Sequence, residues 1–167
     1  MTTTPAPEGG LRVALPGLNG ARHTVTLGLL DRAAELAFSY GQCHAFARAL
    51  SEETGWPMAV FIDPACCEDA DACDDVMFGE VCSCQLEHLV VVRPDGFRVD
   101  ITGAFEPGKV KGCEGKADVP VTEAMWHYLA HSPYWSPPAL AAARTFVAPL
   151  LAALRATEPV SEPAATA

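Results

Sequence analysis

The chain has 167 residues, a length that predicts one domain with its own hydrophobic core and no need of disulfide staples. Its 11 Lys and Arg against 21 Asp and Glu leave a net charge of −10, which removes the electrostatic footprint expected of a nucleic-acid or anionic-membrane binder. Half the residues are hydrophobic, yet the apolar runs fall short of the ~18–20 residues that span a bilayer, and Met1-Thr2-Thr3-Thr4-Pro5 has no signal-peptide pattern, so the expected location is cytoplasmic.

Residues 1–10 and 157–167, rich in Pro, Ala and Thr, read as frayed tails around a single domain over 11–156. Leu11 to Leu15 and Arg22 to Leu27 read as two short strands flanking the turn Pro16-Gly17-Leu18-Asn19-Gly20. Leu29 to Phe38 has helical spacing, and after Gly41 a second helix is expected over Gln42 to Glu53. Cys43, Phe46, Ala47 and Leu50 share one of its faces, and Gly55 and Pro57 end it. Met58 to Ile62 is of strand type, whereas residues 63–86 show no period and read as a long inserted loop. Glu87 to Gly103 reads as a β-hairpin. Beyond a Gly-rich stretch, helices are expected over Thr122 to Ala130 and Pro138 to Arg155, with Pro149 predicting a kink or break in the second.

The charge is concentrated. Ala49 to Val92 holds ten acids and no Lys or Arg, while the rest of the chain carries eleven of each sign. Five of the seven cysteines lie in the same stretch: Cys66, Cys67, Cys73, Cys82 and Cys84, with Cys43 before it and Cys113 after it. An odd count forbids a fully disulfide-bonded monomer. The spacing lacks the paired C-x2-C knuckles of a zinc ribbon, so structural zinc on Cys66, Cys67, Cys73, Cys82, Cys84 and Cys113, one or two disulfides, and reduced thiols all remain open. His127 and His131, four apart on a helix, form another candidate ligand pair, but lack the intervening Glu of a zinc-peptidase motif.

The hairpin turn decides which residues meet. In Arg93-Pro94-Asp95-Gly96-Phe97, Pro94 suits the second position of a type I turn and Gly96 the left-handed residue of a G1 bulge, so a three-residue loop pairing Arg93 with Phe97 is expected. That register sets Asp100 opposite Val90 with His88 as its diagonal neighbour, within reach of a side-chain hydrogen bond. It places Leu89, Val91, Phe97, Val99 and Ile101 on a core face and His88, Val90, Val92, Arg98, Asp100 and Thr102 on the other.

An Asp-oriented imidazole fixes its tautomer and stabilises imidazolium. A cysteine in a first helical turn feels the positive end of the helix dipole, and a nearby protonated histidine lowers its pKa further, from ~8.5 toward ~3.5–7.5. The first-turn N–H groups of such a helix are also available to an oxyanion. Taken alone, Cys43 on an apolar face equally describes a buried small hydrophobe; the His88–Asp100 hairpin is what gives it a chemical partner.

Gly41-Gln42-Cys43-His44 with its helix, and Glu87-His88 through Asp100-Ile101-Thr102-Gly103, resemble the papain-like cysteine hydrolase superfamily in its compact bacterial forms, which include NlpC/P60-type amidases, transglutaminase-like proteins and papain-fold deamidase toxins. The likeness is one of order and context over Gly41–Gly103. It implies an α+β fold in which N-terminal helices carrying the cysteine pack on a small antiparallel sheet, followed by C-terminal helices. It further implies Cys43 as nucleophile, His88 as general base and acid and Asp100 as its orienter, with the Gln42 amide as an oxyanion donor.

The expected function is thus a thiol-dependent peptidase, amidase, glutamine deamidase or acyltransferase acting on amide bonds of a peptide or protein substrate, basic ones included, and needing no cofactor for catalysis. The competing expectation is a non-catalytic protein of the same fold whose acidic, Cys-rich loop binds zinc or a cationic partner. His44, directly after the nucleophile, and the insertion between nucleophile and base both depart from the family pattern.

Overall fold

The computed structural model describes residues 9–65 and 73–158. β1 (Arg12–Pro16) and β2 (Arg22–Thr26) pair antiparallel, Val13 opposite Val25, and turn one buried side chain each, Leu15 and Val25, toward the core. α1 (Arg32–Ser39) starts later than the apolar spacing suggests because Asp31 caps it: its carboxylate accepts from Ala34 N at 2.9 Å. α2 (Cys43–Thr54) ends at Gly55, whose φ of +74° forms the left-handed cap.

β3 (Met58–Ile62), β6 (Leu86–Val92), β7 (Arg98–Asp100), β8 (Gly103–Phe105) and β9 (Asp118–Pro120) make one antiparallel sheet in the order β8-β7-β6-β3-β9. The hairpin has the register that Pro94 and Gly96 predict. Val91 faces Val99, Val92 faces Arg98, Arg93 N donates to Phe97 O at 2.8 Å, and Gly96 sits at φ +87°. The acidic insertion is not one structureless loop, because its latter part folds as a small hairpin, β4 (Met77–Phe78) and β5 (Val81–Cys82), followed by a 3-10 turn over Ser83–Gln85.

α3 (Glu123–His131) is capped by Thr122, and α4 (Leu140–Thr157) packs on α2. No break occurs at Pro149; α4 runs through it. By length and composition α4 is apolar enough to cross a membrane; 22% of it is buried, one stripe of Ala143, Phe146, Val147 and Leu150 that packs with Phe38, Phe46 and Leu50. The described residues are thus α+β, with four α-helices and a small five-stranded antiparallel sheet.

One face of the sheet carries that main core. The other, expected to present polar groups, is partly apolar: Ala59, Phe61 and Val90 meet Val110 and Cys113 from the stretch after β8 in a second, smaller cluster. Val90 is therefore buried beside His88 rather than exposed next to it, and the imidazole sits in a drier place than alternation alone predicts.

Three segments converge at the start of α2. Gly41 has φ +127°, and a Cβ there would stand 2.6 Å from Gly17 Cα, so only glycine lets the 17–20 turn lie against the helix start. Gln42, fully buried, donates through Nε2 to Pro16 O (3.0 Å) and Pro137 O (3.1 Å) and accepts from Ala139 N (2.8 Å). The Ser136 hydroxyl adds a bond to Gly17 O at 2.9 Å. Gly41→Ala is expected to lower the urea midpoint, with a stability loss of about 2–4 kcal/mol from backbone strain and overpacking and an unchanged m-value; a midpoint within error of the parent would show that the 17–20 turn yields freely.

Candidate active site

Cys43 is the first residue of α2, so its N–H is one of the helix donors without an intrahelical acceptor, and its sulfur lines a cavity of about 550 Å³ with Leu18, Ser83, Cys84, Tyr134 and Trp135. A second cavity of about 580 Å³ is lined by His88, Asp100, Tyr40 and Thr102. Leu18, Ser39 and Glu87 border both, so the two form a groove with the cysteine on one side and the imidazole–carboxylate pair on the other.

His88 Nε2 donates to Asp100 Oδ2 at 3.0 Å, both side chains being buried. Asp100 Oδ1 accepts in turn from Thr102 N (2.8 Å) and Thr102 Oγ1 (2.6 Å). Burial alone would raise the Asp100 pKa, but the bonds from His88 and Thr102 more than offset it and hold the group below its ordinary value. With Nε2 committed to Asp100, proton exchange between His88 and the cysteine runs through Nδ1.

For Cys43, burial pushes the thiol up; contact with the His44 and His88 rings, and the charge on both, overcome that and lower it to about 6. For His88, burial pushes down, while the hydrogen bond to Asp100 and the pairing with Cys43 raise it to about 10. Together the two shifts favour a thiolate beside an imidazolium in the range between them. The short, aligned hydrogen bonds of the two rings go to Asp100 and Ser136, so the sulfur contacts are looser, as is common before substrate binds.

His44 is the residue whose role the sequence left unassigned. It is fully buried, with its ring edge-on to Trp135 at a centroid distance of 5.3 Å and 6.5 Å from that of Trp126. Its Nε2 lies 2.8 Å from Ser136 O, and a carbonyl only accepts, so Nε2 carries a proton. Nδ1, on the other side of the ring, is buried with no hydrogen-bond partner. Two imidazoles, His44 and His88, thus act on Cys43.

Other expected site residues are placed differently. The Gln42 amide spends both hydrogens and its oxygen on the three-segment junction, so the expected oxyanion donor is corrected to structural duty. Cys113 lies in the second core cluster, its pKa raised to about 11 chiefly by burial, and does not join the other thiols. Cys73, Cys82 and Cys84 do come together, their sulfurs within 4.8 Å of one another, and such a group could hold a metal ion. Cys66 and Cys67 lie outside the described residues. His127 and His131 stack at 4.4 Å, but His131 Nδ1 is directed to His127 O at 2.8 Å, the turn of a helix satisfying itself.

No family model, curated protein or solved structure matches this chain. The functional reading therefore rests on the geometry of the groove. The rate of Cys43 alkylation is expected to rise with pH along a single limb centred near 6. His88→Ala and His44→Asn should each move that midpoint upward, since each removes one of the rings that offset burial. An unmoved midpoint in both variants would contradict activation by imidazole.

Proposed function

We propose that this protein is a thiol-dependent hydrolase or acyltransferase acting on amide bonds, with Cys43 as nucleophile, His88 as general acid and base and Asp100 as the group that orients it. The observation that carries the reading is the burial of a cysteine at a helix N-terminus beside a histidine held by a carboxylate, and the lowering of its pKa by that histidine supports it. A buried thiolate–imidazolium pair is costly to maintain and is what acyl transfer through sulfur needs.

In the reaction, the Cys43 thiolate adds to the carbonyl carbon and the negative charge passes to the carbonyl oxygen, where the Cys43 N–H can donate to it. Collapse breaks the C–N bond as His88 Nδ1–H protonates the leaving amine, leaving a thioester and a neutral imidazole. Water then gives a proton to Nδ1 and its oxygen to the thioester carbon, and the thiolate leaves again as the carboxylic acid is released. An amine in place of water would complete transfer instead.

The order Cys, His, Asp on helix start, strand and next strand supports a papain-like assignment, and with it the view that the substrate is a peptide or protein. The cavity beside Cys43 is lined by Tyr128, Tyr134 and Trp135, and its one carboxylate among the described residues, Glu87, is already bonded to Lys116 at 2.6 Å. That lining favours an apolar or aromatic group next to the reacting bond over the basic one expected from net charge. The second reading, a binding protein whose insertion holds structural zinc, is favoured by the Cys73, Cys82 and Cys84 group, and the two are compatible because these thiols are not those of the nucleophile.

An electrophilic amide-mimic probe should label the full chain at Cys43 and leave Cys43→Ala unlabelled, while Cys113→Ala labels as the parent does. His88→Ala should slow labelling about 10²–10⁴-fold, the range for loss of a positioned acid–base group. Undiminished labelling of Cys43→Ala would move the nucleophile elsewhere.

A further inference from the structure

We infer that Cys73, Cys82 and Cys84 form a thiolate site for a single divalent, sulfur-seeking cation, zinc being the expected occupant, and that this site braces the wall of the groove facing Cys43.

The sulfur positions carry the first part. Cys73 Sγ lies 3.6 Å from Cys82 Sγ, and Cys84 Sγ lies 3.5 Å from Cys82 Sγ. At a Zn–S length of ~2.3 Å, two corners of a tetrahedron stand about 3.8 Å apart. Two of the three spacings are thus already close to the edges of a tetrahedral site and the third lies within 4.8 Å, while the first two far exceed the ~2.05 Å of a disulfide bond.

The backbone holds them there by local bonds. Asp75, in the left-handed region at φ +55°, turns its N–H back to Cys73 Sγ at 3.4 Å, so a main-chain donor supports charge on that sulfur. Cys82 N donates to the Gln85 amide oxygen at 2.8 Å, and the Ser83 hydroxyl to Asp74 at 2.7 Å, which fixes the turn between Cys82 and Cys84.

Charge favours a dication. Asp74 and Asp75 adjoin Cys73, and no Lys or Arg occurs between Ala49 and Val92 to balance three thiolates. Binding releases the thiol protons to solvent, and a metal of charge +2 offsets the thiolate charge that this leaves. Three sulfurs suit zinc better than magnesium or calcium, which take oxygen ligands.

The site touches the groove through its own residues. Cys84 and Ser83 line the cavity that Cys43 opens into, and Asp74 lies 3.4 Å from the Tyr128 hydroxyl on the same wall. Fixing Cys84 to Cys73 and Cys82 therefore fixes one side of the entrance without adding a group to the chemistry at sulfur.

The test is metal content of the full chain, purified under reducing conditions without chelator. One zinc per chain is expected, and cobalt added to the stripped protein should give the intense visible bands of a tetrahedral site and thiolate-to-metal charge transfer. Cys82→Ser, and separately the more exposed Cys73→Ser, should weaken metal binding at least about tenfold, since even outer-shell changes cost that much, while Cys113→Ser keeps the full stoichiometry; circular dichroism checks that each variant folds. Reduced, folded protein that takes up neither metal, or Cys82→Ser and Cys73→Ser that bind metal with the parent's affinity, would overturn the proposal. So would a disulfide among these three residues that persists as the protein's resting form. Cys43 labelling in the same samples reports separately on the proposed hydrolase, and each can fail without the other.

Discussion

The buried amide of Gln42 joins the end of β1, the start of α2 and the entry to α4 at one point, through three hydrogen bonds to main-chain groups far apart in sequence. The next residue along the chain is Cys43. A nucleophile must be held to a fraction of an ångström against its partners, and here the restraint is backbone on three sides rather than packing alone. The same junction brings in the Ser136 carbonyl that fixes His44, and the Gly17 turn that lies against Gly41. The groove exists because these segments cannot separate without leaving buried polar atoms unpaired.

On that frame the sheet contributes the second half of the site. His88 and Asp100 come from adjacent strands, and both side chains are buried where they border the groove, on the sheet face that also carries the Val90, Val110 and Cys113 cluster. Low local dielectric works in two directions. It penalises each charge singly, and it strengthens their mutual attraction, so the arrangement is stable as a set and fragile to the loss of any member.

Much of this was legible in local chemistry. Pro94 and Gly96 determine the turn, the turn determines the register, and the register brings His88 to Asp100; each step needs only neighbouring residues. The helix carrying Cys43 was likewise evident from spacing and its closing Gly55. What was not legible depends on distant segments. Gln42 looked like an oxyanion donor because nothing local shows that Pro16, Pro137 and Ala139 would claim its amide. His44 had no reading because its partners, Ser136, Trp126 and Trp135, arrive from the far end of the chain. The second core cluster was missed because Val110 and Cys113 lie in a Gly-rich stretch without period, and α4 persists through Pro149 because tertiary packing of Phe146, Val147 and Leu150 outweighs the local cost.

The central claim is that Cys43 and His88 share a proton so as to stand as thiolate and imidazolium at neutral pH. Nuclear magnetic resonance of the ring nitrogens of His88 in the full chain measures it directly. The account requires a doubly protonated ring through neutral pH, deprotonating only toward about 10, and a marked fall in that value in Cys43→Ala, where the sulfur's charge is gone. A His88 ring that is neutral at pH 7 in the parent chain, titrating alike with and without the sulfur, would contradict it.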